Sequence, residues 1–418
     1  MTEGKTSQRI SRDLALEQLR HHLQASPRQT QTVHVTEALG LVCARDLFAA
    51  HSSPVMPKST MDGYALDSQA SLGATPETPV RLLISGEIRP STSDTTPLLP
   101  GQAVAILTGG QLPPGADCAV AAEAFEVTDG SLVLTSEVLP GQHVCQAGSD
   151  IKVGSRIIRR GEDFTPAVLA ALAVSGIMRV EAYVGPKTRV LAIGNELAPL
   201  EDENDAARLP ADNLLMAAGL LRLRGVDQVQ SEVCANSLEH IAGRLRELSD
   251  CDCIVTTGGT GPGQRDFALR AACLAGFTPL FNGVALTPGK SFFAAVRERT
   301  ILFALPGTPW AVFALMHALV LPAVCWLRGR TLPVPSPVLA RPLVTPAPAQ
   351  PGWEKLVPCT IAPHGSELHA TPLLDKNREM RRDMIETQGL LIVSGSEEPG
   401  ELLPMIPIWE HRRGHRFD

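Results

Sequence analysis

Residues 256–266 read TTGGTGPGQRD, and this stretch does most to fix the fold. It follows the apolar run CIV at residues 253–255 and precedes helical periodicity over residues 267–276, so it predicts a strand, a glycine-rich turn and a helix start. Glycines let backbone N–H groups approach an anion closely, and the helix N-terminus adds partial positive charge. The loop therefore favours a phosphate ligand; the alternative is a tight strand-to-helix turn that binds nothing.

Around this loop, strand-like and helix-like runs alternate between residues 187 and 328. The strand-like runs are residues 189–193, 228–234, 254–257 and 301–305, and the helix-like runs are residues 213–224 and 238–248. Such alternation predicts a doubly wound α/β domain, in which a parallel sheet carries helices on both faces. Ligands bind such sheets at the carboxyl ends of the strands, where three loops are expected to meet: residues 194–196, the glycine loop and residues 306–309.

In the rest of the chain, hydrophobic periodicity and the content of glycine and proline change at boundaries that predict four domains. Helical periodicity from about Ser11 to Leu47 and over residues 165–175 brackets a β-like block rich in glycine and proline. The proline-dense residues 333–351 are interpreted as a linker. The predicted fold class is a multidomain α/β and β protein. Its domains are a linking helical and β domain (residues 8–50 with 151–186), a β-rich insertion (51–150), the central α/β domain (187–331) and a small β-rich C-terminal domain (332–418).

Composition and charge exclude several classes of partner. The chain has 418 residues and a formal net charge of -7, which gives no general attraction to nucleic acid or anionic lipid. Any phosphate must therefore be held by a local site. Nine scattered cysteines, an odd number, are typical of reduced thiols rather than of a disulfide framework. Because the charged N-terminus has no apolar h-region, we expect a cytoplasmic protein.

One segment, residues 310–327, is nearly all apolar and about long enough to span a bilayer. His317 and Pro322 interrupt it, and it follows a strand-like run and a turn. These features favour a buried helix of the α/β domain, and no membrane association is expected.

Short motifs recur in a particular order along the chain. MDGYA at residues 61–65 places the carboxylate of Asp62 beside a glycine, and TGGQLPPGAD follows at residues 108–117. GSDI at residues 148–151, the GGTG of the glycine loop and PGK at residues 288–290 complete the set. Each motif alone is weak, since an Asp-Gly turn is usually structural. In order and spacing they resemble, over nearly the whole chain, the MoeA family of molybdopterin molybdenumtransferases, also seen in the gephyrin E domain.

The resemblance implies that adenylylated molybdopterin and molybdate react to give molybdenum cofactor and AMP, with a divalent cation such as Mg²⁺. It also implies a homodimer in which the insertion of one subunit faces the α/β domain of the other, with an upstream adenylyltransferase or a recipient molybdoenzyme as further partners. Glu196 and Asp266 would hold the metal, because Mg²⁺ prefers oxygen ligands. The positions that match the family's catalytic ones are Asp62, Thr108, Asp150, Glu196 and Asp266.

Substrate binding is implied for further positions. Lys290, after a Pro-Gly turn, is similar to the family's anion-binding lysine, although a solvated surface lysine is the alternative. A threonine at position 308 replaces the asparagine of the family's Pro-Gly-Asn-Pro loop. The implied substrate-binding residues are Gly258, Gly259, Thr260, Gly261, Lys290, Pro306 and Pro309.

Several positions depart from the family pattern. Asn236 stands where an aspartate is expected, and Gly283 and Thr287 stand where the family has lysines. Losing two cations near an oxyanion site removes charge-assisted hydrogen bonds of about 1.5–3 kcal/mol each, which should weaken molybdate insertion more than pterin binding. A non-catalytic or weakly catalytic carrier that delivers cofactor to a specific molybdoenzyme is therefore the alternative function.

Two charged strings are interpreted as solvated. Residues 159–163 read RRGED and look like a family string, but the surrounding register assigns that role to residues 147–150. Residues 375–382 read DKNREMRR and replace a Gly-Ser-His-containing segment of the family. They could supply anion contacts in a different arrangement, although a solvated charge run is the simpler interpretation.

Overall fold

The structure is a computed structural model that describes residues 9–26, 28–90, 96–199, 208–260, 265–331, 336–373, 381–395, 398 and 400–408, with the backbone alone at residues 265 and 266. Within these residues the α-helices, in chain order, are α1 (Arg12–Ala25), α2 (Pro166–Val174), α3 (Asp212–Leu223), α4 (Leu238–Glu247), α5 (Arg265–Leu274), α6 (Pro309–Leu315), α7 (Leu321–Leu327) and α8 (Arg381–Glu386).

The strands of the same residues are β1 (Thr30–His34), β2 (Leu47–Phe48), β3 (Lys58–Ser59), β4 (Gly63–Leu66), β5 (Val80–Ile88), β6 (Gln102–Ile106), β7 (Cys118–Ala121), β8 (Glu126–Thr128), β9 (Ser131–Leu134), β10 (Val144–Cys145), β11 (Arg156–Ile158), β12 (Arg179–Tyr183), β13 (Thr188–Ile193), β14 (Leu197–Ala198), β15 (Leu209–Pro210), β16 (Val229–Cys234), β17 (Cys253–Gly258), β18 (Thr278–Asn282), β19 (Leu286–Thr287), β20 (Phe293–Arg297), β21 (Thr300–Leu305), β22 (Val338–Pro342), β23 (Glu354–His364), β24 (Glu367–Pro372), β25 (Gly389–Val393) and β26 (Leu403–Pro407).

The α/β domain is built on a six-stranded sheet in the order β16-β13-β17-β21-β20-β18. The first four strands are parallel, and they end at Cys234, Ile193, Gly258 and Leu305. Apolar cores cover both faces of the sheet, one with α3, α6 and α7 and the other with α4 and α5. The prediction of a doubly wound α/β domain is confirmed, and the carboxyl ends of these strands share one edge.

The four strands that the sequence pattern indicated are parallel, but two further strands make the sheet mixed on one side. Strand β20 runs antiparallel to both of its neighbours, β18 and β21. It joins β21 through a tight turn in which Glu298 has a φ of +52°. Small alanines fill much of β20, so its sequence shows little of the β-branched character that marks a strand. The sheet is therefore mixed.

The apolar segment 310–327 is a buried core helix, as predicted. Helix α6, the π-helical residues Met316–Val320 and helix α7 form one continuous helix, Pro309–Leu327, and 89% of its most apolar window is buried inside the protein. A proline ring clashes with the carbonyl group four residues earlier in a regular α-helix, and the wider π-helical turn lies just before Pro322. This helix is long and apolar enough to cross a membrane, but its packing explains its composition.

The insertion follows its sequence pattern closely, but the N-terminal region does so only in part, because helix α1 ends at Ala25 and strand β1 begins at Thr30. Ser11 caps α1 and Thr165 caps α2, which carries proline at its first position as expected. Helix α1 packs against α7 and contributes Leu19 and Leu23 to the α/β core. The insertion forms a six-stranded sheet in the order β7-β4-β6-β5-β9-β8, which agrees with its predicted β-rich character.

The C-terminal region closes into a small barrel. Strands β23, β24, β22, β26 and β25 pair in sequence, and β25 also pairs with β23. Strand β19 of the α/β domain adds to the outside of β23. The linker interpretation of residues 333–351 is wrong in part, because Val338–Pro342 is a barrel strand that ends at its proline. Residues 332–335 lie outside the described structure.

The RRGED turn at residues 159–163 is not simply solvated. Asp163 pairs with Arg330 at 2.7 Å, and both side chains are about four-fifths buried. Arg160 Nε donates to the Tyr183 hydroxyl at 2.7 Å. Since Arg330 follows α7, the turn joins the linking domain to the α/β domain, which is why the expectation of a solvated turn fails.

Candidate functional site

A cavity of about 650 Å³ lies at the carboxyl edge of the parallel strands. The loops that follow all four parallel strands contribute to its wall, which includes Glu196, Asn236, Gly258 and Thr308, one residue from each loop. The prediction that three of these loops meet at this edge is confirmed. The loop after β16, which contains Asn236, is the fourth.

The glycine loop presents bare backbone to the cavity. Gly258 and Gly259 have φ values of +90° and +68°, a region that favours glycine. A Cβ at Gly258 would collide with the backbone oxygen of Ile193 on β13, and one at Gly259 would lie 3.3 Å from Ile193 Cγ2. A Cβ at Gly307 would lie 3.3 Å from Gly258 Cα. The sequence therefore needs glycines here for both the turn and the close packing of neighbouring loops.

Thr260 joins this loop to the next strand. Its side chain is buried, and its Oγ1 donates to the Leu305 carbonyl oxygen at 3.4 Å. The hydroxyl therefore stabilises the loop against the end of β21, and its proton is used in this hydrogen bond. Thr260 lines the cavity as the resemblance implies, but its described hydrogen bond gives it a structural role in addition.

Two asparagine side chains form part of the wall. Asn213, in the first turn of α3, donates from Nδ2 to the Gly307 carbonyl oxygen at 2.9 Å, which orients the side-chain amide. Its Oδ1 is buried without a hydrogen-bond partner among the described residues. Asn236 Oδ1 is likewise buried without a hydrogen-bond partner among the described residues. The Asn236 backbone N–H donates to Asn195 Oδ1 at 2.9 Å. A buried acceptor without a donor costs about 1–3 kcal/mol. Both residues line the cavity, but the two oxygens themselves are shielded from solvent.

The charged groups of the wall come from two domains. Glu196 and Asp212 contribute carboxylates, and Arg381 of α8 contributes a guanidinium from the C-terminal domain. Arg381 Nε lies 2.6 Å from Asp212 Oδ2. Arg381 and Arg382 are exposed, as expected of a solvated charge run, but Arg381 also pairs with Asp212 at the rim of the cavity, where folding brings α8 against α6. Residues 375–380 lie outside the described structure.

Asp62 and Thr108 meet as a pair on the insertion. The Thr108 backbone N–H and its hydroxyl both donate to Asp62 Oδ1, at 2.6 and 2.8 Å. These two hydrogen bonds, the backbone one first, lower the pKa of Asp62, because they favour the ionised carboxylate. The two motifs that carry these residues are 46 positions apart in the chain, so their contact gives the resemblance a physical basis.

The remaining sequence-derived positions are placed less closely. Asp150 Oδ2 accepts from Ser53 Oγ at 3.4 Å in an exposed setting. Lys290 precedes β20, whose Phe293 pairs with Ala304 near the end of β21, so Lys290 lies at the cavity's edge of the sheet without lining the described wall. Pro309 lines the wall, whereas Pro306 does not.

Two positions cannot be placed in the cavity from the described residues. Gly261 and the side chain of Asp266 lie outside them, and the Asp266 backbone belongs to the first turn of α5. Within the described part of the chain, no group of three or more His, Cys, Asp or Glu side chains could hold a metal ion. The expected metal site at Glu196 and Asp266 therefore stays a prediction.

Comparison with known proteins agrees with this geometry. Residues 10–176 match the family described as MoeA N-terminal region (domain I and II), and residues 189–325 match the family described as probable molybdopterin binding domain. Molybdopterin molybdenumtransferase 2 of Mycobacterium tuberculosis is 31% identical over 328 residues, which span 75% of this chain and 80% of that protein. The chain belongs to the MoeA family. The molybdopterin molybdenumtransferase of Bacillus subtilis is 28% identical over 393 residues, 91% of this chain and 90% of that protein.

A solved structure shows the same fold over most of the chain. The molybdopterin biosynthesis MoeA protein of Pyrococcus horikoshii superposes with a TM-score of 0.79 at 22% identity and covers 96% of this chain and 99% of that one. The likeness at this identity concerns the fold. It agrees with the combination of an α/β domain, a β-rich insertion and a β-rich C-terminal domain in this MoeA-family chain.

The sequence patterns did not indicate every residue of the cavity wall. Asp212 and Asn213 start α3, and no motif identified them as site residues. The available signal was positional, because α3 follows the loop after β13 and its first turn must lie at the carboxyl edge of the sheet. Arg381 had no comparable signal, since it comes from a domain 169 positions away from its partner Asp212.

Proposed function

We propose that this MoeA-family chain is a molybdopterin molybdenumtransferase of molybdenum cofactor biosynthesis, which takes adenylylated molybdopterin and molybdate and releases AMP. The observation that carries the proposal is the cavity at the carboxyl edge of the sheet, where the bare backbone of Gly258 and Gly259 meets three other loops. Backbone N–H groups in such a loop suit a phosphate. Relatives that bear this enzyme name cover most of the chain, which supports the assignment.

The residues divide the task between them. The glycine loop holds the phosphate, while Asn213 and Asn236 line the wall beside it with amide groups suited to the polar edge of the pterin. Asp62 is kept ionised by Thr108, and with Asp150 it supplies carboxylates for positioning water or a substrate proton. The experiment is molybdate-dependent release of AMP from adenylylated molybdopterin. Tight binding without any AMP release would favour the carrier alternative, which no observation on this cavity supports better.

The phosphate role of the glycine loop can be tested separately from backbone strain. Gly259→Ala places a methyl group 3.3 Å from Cγ2 of the lining residue Ile193, and we expect the resulting shift of the loop to weaken binding of adenylylated molybdopterin at least about tenfold. Gly130→Ala is the matched control, because Gly130 has a similar φ of +72° but open space around its Cβ position. Titration calorimetry on both variants should separate them. Equal affinity of the two variants would refute a ligand at Gly259.

We propose that Mg²⁺ assists the reaction, held by Glu196 and Asp266. Glu196 lines the cavity and offers the hard carboxylate oxygens that Mg²⁺ prefers, and Asn236 lines the same cavity at the position where the family has an aspartate. A bound Mg²⁺ would neutralise phosphate charge. Asn236→Asp should raise Mg²⁺ affinity and make the thermal midpoint depend more strongly on Mg²⁺. A thermal unfolding midpoint that does not change with Mg²⁺ concentration in either the wild type or Asn236→Asp would contradict this site.

We also propose a homodimer with composite sites. Asp62, Thr108 and Asp150 belong to the insertion, and no residue of the insertion is among the described lining of the cavity in the same chain. Asp62→Asn and Gly259→Ala proteins, each impaired alone, should on subunit exchange regain about a quarter of the wild-type rate, because half the dimers then carry one intact site in two. No recovery of activity despite subunit exchange, or an active monomer in sedimentation, would contradict the dimer.

We also propose a cytoplasmic location. Recovery of the protein in a membrane fraction would contradict it.

A further inference from the structure

The pair of Asp62 and Thr108 lies on the surface of the insertion, where burial holds neither side chain in place. Both residues are exposed. The Thr108 backbone N–H and hydroxyl reach the same carboxylate oxygen, so the pair depends on the relative position of two chain segments. Because exposed side chains change rotamer freely unless contacts restrict them, we looked for the residue that fixes these segments.

The segment that carries Asp62 is fixed by Ser59. Ser59 precedes Asp62 by three residues and is only 2% exposed. Its Oγ donates to the Met61 carbonyl oxygen at 2.7 Å and accepts from the Met61 N–H at 3.3 Å. Such bonds between a serine side chain and the nearby backbone stabilise a turn. This turn ends directly before Asp62, so the hydroxyl sets the backbone from which the carboxylate projects.

The segment that carries Thr108 is held by the backbone of the same serine. The Ser59 N–H donates to the Gly110 carbonyl oxygen at 2.9 Å, and the Ser59 carbonyl oxygen accepts from the Gly109 N–H at 2.8 Å. Thr108 directly precedes these two glycines. One buried residue therefore connects both members of the pair.

We infer that Ser59 is a positioning residue of the reaction, which holds Asp62 and Thr108 in register through its hydroxyl and its backbone. The inference rests on the proposed function, in which Asp62 takes part in the reaction. The Ser59 hydroxyl is engaged by Met61 both as donor and as acceptor, so Ser59 acts through the geometry of Asp62 and not on the substrate.

The test compares two buried serines of the insertion. Ser71 is the matched control, because its Oγ donates to the Ser68 carbonyl oxygen at 2.7 Å and accepts from the Val138 N–H at 2.9 Å, and neither partner belongs to the segments of Asp62 and Thr108. Ser59→Ala should raise the pKa of Asp62 toward its ordinary range, whereas Ser71→Ala should leave it lowered. Carbon-13 titration of the Asp62 carboxyl measures both variants.

Two further variants of Ser59 accompany this comparison. Ser59→Thr keeps the hydroxyl and should leave the pKa of Asp62 lowered. Ser59→Cys offers a weaker donor of similar size and should raise that pKa as Ser59→Ala does, which keeps the test open if Ser59→Ala does not fold.

The rate of molybdate-dependent AMP release gives a second readout. Ser59→Ala should lower kcat by about 10- to 100-fold and change KM for adenylylated molybdopterin by less than about threefold, because it displaces Asp62 without touching the glycine loop. In an Asp62→Asn background, Ser59→Ala should cause no further loss of kcat, since both changes remove the same function.

Three results would overturn the inference: an unchanged pKa of Asp62 in Ser59→Ala, an equal change in Ser71→Ala, or additive losses of kcat in the double variant. A wild type that releases no AMP with molybdate would contradict the proposed function instead. The carbon-13 titration would still decide whether Ser59 positions Asp62, so the two failures are distinguishable.

Discussion

Asn213 fixes the loop between β21 and α6 through one hydrogen bond, from its Nδ2 to the Gly307 carbonyl oxygen. Asn213→Asp replaces the donor with a carboxylate that faces that oxygen, and we expect substrate affinity to fall about tenfold, which corresponds to one hydrogen bond of about 1.4 kcal/mol. Asn195→Asp is the matched control, because Asn195 Oδ1 accepts from the Asn236 N–H and a carboxylate accepts equally well. Titration calorimetry gives both affinities. A similar loss at position 195 would point to the added charge instead of the lost donor.

Asp62 gives a pH signature of its contact with Thr108. The Thr108 backbone N–H and hydroxyl lower the pKa of Asp62, so the stability from this contact is complete above the ordinary carboxyl pKa and is lost as the pH falls through the lowered value. Thr108→Val keeps the backbone donor but removes the hydroxyl, and the pKa of Asp62 should move upward toward its ordinary range. Thr108→Ser should leave it lowered. Carbon-13 titration of the Asp62 carboxyl measures this, and no difference between Val and Ser would mean that the hydroxyl is not a donor.

At the scale of residues, the sequence could indicate positions that belong to motifs but not those defined by approach in space. Gly258 and Gly259 were identifiable because a phosphate loop needs glycine in a fixed order after a strand. Gly283 is different: the sequence shows only a missing lysine, whereas the structure gives it a φ of +88° and places its Cβ position 3.1 Å from the Lys290 carbonyl oxygen. A lysine there would be strained, so this departure cannot be reversed by a simple substitution.

The first helix is joined to the barrel by a buried ion pair. Arg12 Nε lies 2.9 Å from Glu354 Oε2, and Arg12 also contacts Asp13, with side-chain exposures of 10%, 28% and 79% for Arg12, Glu354 and Asp13. Glu354→Gln should lower the free energy of unfolding by about 1–2 kcal/mol, because it removes the less exposed of the two negative charges beside a buried guanidinium and leaves a neutral acceptor. Asp13→Asn should change it by less than about 0.5 kcal/mol, since that partner is solvated. Urea denaturation tests both, and equal effects would contradict the role of burial.

At the scale of elements, prediction was good where periodicity and caps agreed. Thr165 and Pro166 mark the start of α2, and the alternation of residues 187–305 marks the four parallel strands. Prediction was poor for strands that form only because neighbouring strands pair with them. Strand β22 lies in a proline-rich stretch and exists because β24 and β26 flank it, while β20 is alanine-rich and exists because it folds back on β21. Such strands depend on tertiary context more than on their own sequence.

At the scale of the whole molecule, the candidate site is a product of topology. The four parallel strands bring loops that span more than a hundred residues of sequence to one edge, and the general rule for open α/β sheets predicts this meeting place. The same rule says nothing about the C-terminal barrel, whose α8 adds Arg381 to the rim. The sequence therefore predicts the floor of the cavity, whereas the contribution of another domain requires the folded structure.

In the proposed function, adenylylated molybdopterin reacts with molybdate in this cavity. The most direct measurement is a single-turnover experiment in which enzyme in excess over adenylylated molybdopterin is mixed with molybdate and AMP is followed in time. We predict that AMP release depends on molybdate, saturates with it, and is slowed or abolished by Gly259→Ala but not by Gly130→Ala. AMP release that is independent of molybdate, or none at any molybdate concentration from a protein that binds the pterin, would contradict the account.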